Sequence, residues 1–309
     1  MIEARGLTKR YGDKVAVNDL SFSVAPGRVT GFLGPNGAGK TTTMRLILGL
    51  DSPNSGAVTI DGKRYMDLAN PMREVGALLD AKAVHGGRSA YNHLLCLAQT
   101  NGIGRRRVTE VLELVGLTDV ARKRSKGFSL GMGQRLGIAA TLLGDPKVLM
   151  FDEPVNGLDP EGILWIRNFM KALAAEGRTV FVSSHLMSEM ENTADHLIVI
   201  GRGQLLADCT MEEFIARSSG QSVRVRTPQP ELLAKAVATA GGTAANGGSY
   251  GELIVQGLNA QHIGDIAFDT GVRLHELTVV RASLEAAFME LTGDSVEYHA
   301  AVPAATGRN

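Results

Sequence analysis

Gly34-Pro-Asn-Gly-Ala-Gly-Lys-Thr-Thr42 is the stretch that decides the fold. It satisfies the phosphate-loop pattern G-x-x-x-x-G-K-[ST]. Glycines suit this pattern because a chain without Cβ atoms can curl its amides around phosphates, and the helix that follows adds its positive end. Lys40 supplies a point charge to the outer phosphates, and Thr41 offers a hydroxyl to Mg²⁺. The stretch therefore predicts a nucleotide site, entered from a short strand over 28–33.

Composition limits the classes of protein that fit. The 309 residues are 44% hydrophobic, which is enough for a large α/β domain and a smaller one. Lys and Arg number 32, as do Asp and Glu, and this net charge of zero argues against nucleic acid as a partner. Cys96 and Cys209 lack zinc or redox spacing and are expected to be ordinary thiols. Because no apolar signal core or long apolar stretch occurs, we expect that the chain cannot cross a membrane alone.

Apolar periodicity predicts alternating strands and helices in the first two thirds of the chain. Strands are expected at 14–17, 20–24, 29–33, 57–60, 147–151 and 179–183, and helices after the phosphate loop to Leu50, in two segments of 89–117, over 129–143 and over 162–176. The order strand, helix, strand from 147 to 183 implies a parallel sheet.

The composition changes around Ser218–Gly220, where a second unit is expected to begin. This unit is predicted to contain strands at 222–226, 253–256 and 273–280 and helices at 231–240, 260–268 and 283–291. The glycine-rich stretch 241–251 indicates a hairpin-like connection, since it lacks a Gly-Lys-Thr ending. We therefore predict an α/β domain over 1–219, with a helical subdomain at about 85–145, and a small α+β domain over 220–309.

Two adjacent acids end the strand pattern of 148–153. Asp152 is placed to join the Mg²⁺ shell, and Glu153 to polarise an attacking water. Acids that simply begin a loop after a buried strand are the alternative, which the phosphate loop upstream makes less favourable. The pair suits hydrolysis of a phosphate bond.

Three further motifs make residues 1–217 resemble the ATP-binding subunits of ABC transporters. They are Phe128-Ser-Leu-Gly-Met-Gly-Gln-Arg135, the turn Asn156-Gly-Leu-Asp-Pro160, and His185 after Val180-Phe-Val-Ser-Ser184. With Tyr11, the phosphate loop, Asp80 and the acidic pair, they occur in the order of that family. The resemblance implies an ABC ATPase cassette, an α/β fold that has a mixed sheet core and a helical subdomain. It also implies ATP and Mg²⁺ as cofactors and a dimer that sandwiches ATP between two cassettes.

The resemblance also implies roles for individual residues. The ATP-binding set comprises Tyr11, Gly34, Pro35, Asn36, Gly37, Ala38, Gly39, Lys40, Thr41 and Thr42, with Ser129, Gly131 and Asp159 acting across the dimer. Glu153 and His185 are the catalytic pair, and Thr41, Asp152 and Asp80 are the metal ligands. Alternatives stay open from the residues alone, because Ser129 can be a helix cap, Tyr11 a surface residue and His185 an ordinary loop histidine.

Two positions depart from the family pattern. The signature, usually Leu-Ser-Gly-Gly-Gln, is here Phe-Ser-Leu-Gly-Met, which keeps the serine and the second glycine. Asp80 stands where the family commonly carries a glutamine that contacts Mg²⁺ and water. An acid there is shorter and charged. This pair of departures, with the ending 283–293, resembles the drug- and bacteriocin-exporting (ABC-2 type) branch.

The expected function is therefore that of an ATPase subunit that powers a separate membrane permease and exports a drug, peptide or lipid-like substrate. Such a subunit would lie peripherally at the cytoplasmic face of the cell membrane, form a homodimer through its ATP sites and bind no nucleic acid. One alternative is the ATPase of an ABC importer with a regulatory C-terminal domain. The other is a soluble ABC ATPase that acts outside transport.

Overall fold

The computed structural model of this protein describes residues 1–80, 83–217, 222–280 and 284–292. Contacts divide the described chain into a first unit, Met1–Met211 with Thr292, and a second unit, Glu212–Leu291. The predicted domain boundary at 219/220 and the first residue of the predicted closing helix, Ser283, lie outside the described residues. The division into a cassette and an accessory domain at that boundary stays a prediction.

The first unit is built on nine described strands. They are β1 (Ile2–Tyr11), β2 (Lys14–Val24), β3 (Val29–Leu33), β4 (Ser55–Ile60), β5 (Val75–Leu78), β6 (Val148–Asp152), β7 (Thr179–Ser184), β8 (His196–Gly201) and β9 (Gln204–Thr210). β6 and β7 lie within one residue of the predicted ranges. The two short runs predicted between 14 and 24 form the single strand β2.

Seven described α-helices accompany these strands. They are α1 (Lys40–Ile47), α2 (Pro71–Glu74), α3 (Ala90–Thr100), α4 (Arg105–Leu114), α5 (Leu130–Leu142), α6 (Pro160–Ala175) and α7 (Met187–Thr193). α3 and α4 confirm the two helical segments predicted within 89–117. The helix after the phosphate loop ends at Ile47, three residues before the predicted end at Leu50.

A six-stranded sheet in the order β5-β6-β7-β3-β8-β9 forms the centre of the first unit. All neighbours are parallel except β8 and β9, which pair antiparallel, so the predicted mixed sheet is confirmed. The parallel strands β6 and β7 are buried almost throughout, as a sheet with helices on its faces requires. A second, antiparallel sheet has the order β2-β1-β4.

Three phenylalanine rings lie in the core of the first unit. Phe32 lies 5.0 Å from Phe181 between ring centroids, and Phe22 lies 5.7 Å from Phe32 and 5.9 Å from Phe181. Phe22 comes from β2, while the other two come from the parallel strands β3 and β7. Their contact joins the antiparallel sheet to the strand that leads into the phosphate loop.

The second unit has a four-stranded antiparallel sheet in the order β11-β12-β10-β13. Its elements are α8 (Met211–Arg217), which contains the division between the units, β10 (Ser222–Arg226), α9 (Pro230–Thr239), β11 (Thr243–Asn246), β12 (Glu252–Gln256), α10 (Ala260–Asp269), β13 (Glu276–Val280) and α11 (Leu284–Thr292). Buried residues of β10, β12, α9 and α10 form a separate apolar core. The order βαββαβ from β10 to β13 is a split βαβ arrangement, within the predicted α+β class.

Candidate functional site

The parallel strands bring the predicted site residues to one edge of the large sheet. The phosphate loop follows β3, Asp152 ends β6, His185 follows β7, and Asp80 comes two residues after β5. These four strands are neighbours in the sheet. Their carboxyl ends therefore meet where open α/β sheets place their ligands.

The phosphate loop takes its shape from glycine. Gly37 and Gly39 have φ values of +82° and +104°, which side chains rarely tolerate, and a Cβ atom on Gly39 would collide with the carbonyl of Ala16. Lys40 is buried, and its Nζ donates to the carbonyl oxygens of Gly34 at 2.6 Å and Pro35 at 3.3 Å. Burial lowers the pKa of Lys40, while the carboxylates of Glu153 and Asp152 oppose that shift. The ammonium group is thus held inside the loop.

Asp152 joins the loop to the neighbouring strands. The Thr41 hydroxyl donates to Asp152 Oδ2 at 2.7 Å, and the Ser183 hydroxyl donates to Asp152 Oδ1. Both oxygens of the carboxylate are therefore oriented by hydroxyl groups from α1 and β7. Among the described residues, no cluster of three or more His, Cys, Asp or Glu side chains could hold a metal ion.

Glu153 and His185 form a contact at the mouth of the site. His185 Nδ1 lies 2.7 Å from Glu153 Oε2. The backbone of Glu153 has a φ of +50°, and its amide donates to Ser183 Oγ at 3.0 Å. The predicted catalytic residues are brought together, and the first of them has a left-handed backbone conformation.

Tyr11 lies beside the loop with its ring half exposed. Its hydroxyl donates to Asp51 Oδ2 at 2.8 Å, and Lys9 Nζ lies 5.0 Å from the ring centroid. Hydrogen bonds from Arg45 and Tyr11 lower the pKa of Asp51 to about 2. Asp51 stays ionised at neutral pH and fixes the direction of the Tyr11 ring.

A cavity of about 400 Å³ occupies the space around the loop. Its lining consists of Tyr11, Lys14, Ala16, Pro35, Asn36, Gly37, Ala38, Gly39, Lys40, Thr41, Thr42 and Glu153. Most of the predicted ATP-binding residues of one chain therefore share one space with the predicted base. Gly34 contributes to that space indirectly, through its carbonyl bond to Lys40.

The three residues expected to act across a dimer do not line this cavity. Ser129 caps α5, where its hydroxyl accepts from the Met132 amide at 3.2 Å. Asp159 caps α6 in the same way, accepting from the Gly162 amide at 2.9 Å. Ser129 is thus a helix cap, as the alternative interpretation predicted. The cap leaves the position of Ser129 at the amino end of α5 compatible with its predicted role.

Asp80 lines a different space, a groove of about 500 Å³ between β5 and the helices α3 and α5. Its walls are mainly apolar and include Leu78, Leu97 and the buried His93. Burial lowers the pKa of His93, with smaller contributions from Arg88 and His85. Asp80 is not among the described residues that line the cavity around the phosphate loop.

Some residues of the site were not predicted. Ser183 binds both Asp152 and the Glu153 amide, and its position at the end of the strand pattern 179–183 is a signal that could have identified it. Asp51 and Lys14 lie outside the sequence motifs, so no pattern could have identified them. Gln134, which is buried in α5, contacts the carbonyl of Pro154.

Comparison with protein families gives two matches. The family model described as "ABC transporter" matches residues 17–156. A "Domain of unknown function (DUF8746)" matches residues 221–285. No described helix has the length and apolar character needed to span a bilayer.

Curated relatives resemble the chain over much of its length. The uncharacterized ABC transporter ATP-binding protein YhcH of Bacillus subtilis is 37% identical over 309 residues, which cover 96% of this chain and 97% of YhcH. The bacitracin transport ATP-binding protein BcrA of Enterococcus faecalis is 40% identical over 71% of this chain and 72% of its own. The lantibiotic transport ATP-binding protein SrtF of Streptococcus pyogenes is 35% identical, covering 67% of this chain and 90% of its own.

Solved structures match about 70% of the chain. A structure described as an ATP-binding subunit of an ABC transporter has a TM-score of 0.63 and 28% identity, covering 69% of this chain and 91% of its own. The cbiO1 structure from Clostridium perfringens, part of the transporter complex cbiONQ, has a TM-score of 0.62 and 26% identity, covering 70% and 90%.

Proposed function

Because the chain belongs to the ATP-binding proteins of ABC transporters, and is an ATPase of that family, we propose that it works with a separate membrane permease. We propose that the pair exports a drug, a peptide or a lipid-like compound. One observation carries the catalytic part of this proposal. The phosphate loop, Asp152, Glu153 and His185 converge at the carboxyl ends of adjacent strands, and Glu153 shares the cavity of the loop. Export is favoured because similar proteins are named for bacitracin transport, lantibiotic transport and linearmycin resistance.

Thr41 and Asp152 would hold Mg²⁺. Their oxygens lie 2.7 Å apart beside the phosphate loop, and a hydroxyl with one carboxylate is a donor set that Mg²⁺ accepts when phosphates complete its shell. When bound, the ion neutralises charge on the phosphate oxygens. Asp80, one strand away, is proposed as an outer ligand that acts through water.

The chain's own residues divide the remaining work. Lys40 and the loop amides bind the phosphates, and Tyr11 stacks on the base of ATP. Glu153 accepts the proton of the attacking water, and His185 orients that carboxylate through the contact between Nδ1 and Oε2. This division is supported by the cavity that Tyr11, Lys40 and Glu153 line together, and by the contact of His185 with Glu153.

A second copy of the chain is proposed to complete the site. Ser129 and Gly131 lie at the amino end of α5, a helix of 13 residues whose dipole favours an anion there. Neither residue, nor Asp159, lines the cavity of its own chain. In the proposed homodimer, the amino end of α5 and Asp159 of one chain would contact the ATP bound by the other chain.

The membrane permease is proposed to dock in the groove that Asp80 lines. The groove is largely apolar, begins at the strand end nearest the nucleotide site and suits a short apolar helix of the permease. Contact there would hold the chain at the cytoplasmic face of the cell membrane. Leu97→Glu would place a charge on this wall, and we expect it to reduce association with the permease without changing ATP affinity.

Replacement of Glu153 by Gln tests the proposed function. The variant keeps the shape of the side chain and loses the base, so we expect ATP turnover to fall about 100-fold or more while ATP affinity stays within about threefold. Glu161→Gln, a matched change at an exposed position of α6, serves as the control and is expected to retain turnover.

The same Glu153→Gln protein, purified from membranes with ATP and Mg²⁺, identifies the partner by mass spectrometry. A co-purifying multi-spanning permease of exporter type supports the proposal. An importer permease would contradict export, and a variant with unchanged turnover would remove Glu153 from the proposed role.

A further inference from the structure

The turn that carries Glu153 has an unfavourable backbone conformation. Its φ of +50° lies in the left-handed region, where a residue with a side chain is held only when its surroundings impose it. Hydrogen bonds on both sides do so. The Glu153 amide donates to Ser183 Oγ at 3.0 Å, and the Asn156 amide donates to the Glu153 carbonyl at 3.2 Å.

The same turn lies along one face of α5, the helix that begins after Ser129. A Cβ atom on Gly157 would collide with the Leu130 side chain, so the backbone and that side chain are in close contact. A Cβ atom on Gly131 would lie 3.4 Å from Leu158 Cδ2. Residue 134 lies three and four positions after residues 131 and 130, so its side chain neighbours both on the helix surface. The amino end of α5, which we propose binds phosphate, and the turn that carries Glu153 are therefore in contact within one chain.

Gln134 supplies a polar contact on this face. It is 3% exposed, and its Nε2 donates to the carbonyl of Pro154 at 2.8 Å. Pro154 directly follows Glu153, and proline has no amide hydrogen with which to hold itself in place. The Gln134 bond therefore holds the Pro154–Val155 peptide, one residue after Glu153, where the Pro154 nitrogen cannot donate a hydrogen bond.

We infer that Gln134 is a positioning residue for hydrolysis, which holds the carboxylate of Glu153 in its reactive position by binding the carbonyl of Pro154. The inference rests on the role proposed for Glu153. It also gives the signature helix a direct connection to the base of its own chain, so that a shift of α5 displaces Glu153. The effect of Gln134 is exerted through the Pro154 carbonyl and not on ATP.

Gln134→Met tests the inference in the full-length chain. Methionine is similar in size and lacks the donor, so the turn loses the hydrogen bond without a large cavity. We expect kcat to fall about 10- to 100-fold, since a displacement of a catalytic group by about 1 Å has an effect of that order. KM for ATP and the affinity for ATP should change less than about threefold. Gln134→His, which retains a ring N–H at similar reach, should recover most of kcat.

One control and one alternative variant separate positioning from a general loss of structure. Ile138→Val removes one methyl group from another fully buried position of α5 and no hydrogen-bond donor, and it should lower the melting temperature without lowering kcat. Should Gln134→Met fail to fold, Gln134→Glu replaces it, because that change keeps the shape and substitutes an acceptor for the donor.

The decisive comparison repeats Gln134→Met in the Glu153→Gln background, with single-turnover measurements over hours. If Gln134 acts through Glu153, the additional loss there should be below about twofold, because the base is already absent. An equal loss in both backgrounds would overturn the inference, as would a rise in KM with kcat unchanged. Equal turnover by the wild type and Glu153→Gln would instead refute the proposed function, so the two failures are distinguishable.

Discussion

At the scale of single residues, Tyr11 combines two interactions that substitution can separate. Its ring lines the nucleotide cavity and its hydroxyl binds Asp51. We expect Tyr11→Ala to weaken ATP binding about 3- to 10-fold, because an aromatic pair contributes about 0.5–1.5 kcal/mol. Tyr11→Phe keeps the ring and should bind ATP within about twofold of the wild type. Fluorescence titration with ATP measures both, and equal losses in the two variants would assign the effect to the hydroxyl.

His93 gives the stability of the protein a pH dependence. Burial holds its folded-state pKa below the usual value of 6.5, so the unfolded chain binds the proton more readily. The contribution of neutral His93 is fully present above about pH 6.5 and is lost as the pH falls below that value. We expect the free energy of unfolding to drop toward pH 5 by at most about 1.4 kcal/mol per pH unit from this group. His93→Leu should show a smaller drop in urea titrations, and parallel curves for the two proteins would exclude His93 as the cause.

The chemistry-bearing residues of the site were largely predictable, because phosphates and Mg²⁺ accept few residue types at fixed spacing. Lys40, Asp152 and Glu153 were predicted from sequence motifs alone, and the structure brings them to the same edge of the large sheet. The left-handed backbone of Glu153 and the contact of Gln134 with Pro154 were not predictable. Both depend on how a helix packs against a turn 20 residues away in sequence, and no local pattern reports such packing.

At the scale of elements, the contact between α5 and the catalytic turn can be tested through glycine. Gly157 has a φ of +77° and a Cβ there would collide with Leu130, whereas Gly177 has a φ of +87° with nothing within 4 Å. We expect Gly177→Ala to cost about 1 kcal/mol from backbone strain alone. Gly157→Ala should cost about 1–3 kcal/mol more, because the new atom overpacks the interface. Urea unfolding of both variants measures the difference in the free energy of unfolding. Equal losses in the two variants would show that α5 shifts to accommodate the new atom without an energetic penalty.

Of the nine described strands of the first unit, β2, β3, β4, β6 and β7 were predicted, and β1, β5, β8 and β9 were not. β1 carries Gly6 among charged residues, and its pairing with β2 shifts register three times, so its alternation is broken. β5 has four residues, too few for a periodic signal. The position of β3 between β7 and β8 was also beyond prediction, since it results from crossovers and not from neighbouring sequence.

At the scale of the whole molecule, the two units have separate apolar cores. We therefore expect calorimetry to resolve two unfolding transitions, of which ATP with Mg²⁺ raises only the one belonging to residues 1–211. Val255→Ala, which removes buried atoms from the core of the second unit, should lower only the other transition. One transition that shifts as a whole in both experiments would indicate that the units unfold cooperatively.

The overall class of the second unit was predicted from its alternating pattern, although β11 was assigned to a hairpin-like connection. β11 pairs with β12 in register from Thr243 opposite Gln256 to Asn246 opposite Leu253. Its sequence is Thr-Ala-Ala-Asn, two alanines between two polar residues, so apolar alternation gave no signal for it. β11 is held in the sheet by its backbone pairing with β12, which its own composition does not predict.

The left-handed backbone at Glu153 implies a trade-off between durability and activity at a single position. Glycine would adopt this φ without steric penalty, so selection for folding stability alone would favour glycine at residue 153. A glycine has no carboxylate, so the base that we propose would be lost. A stabilisation strategy that ranks substitutions by backbone conformation would therefore select Glu153→Gly early, although this substitution removes the carboxylate proposed for ATP hydrolysis.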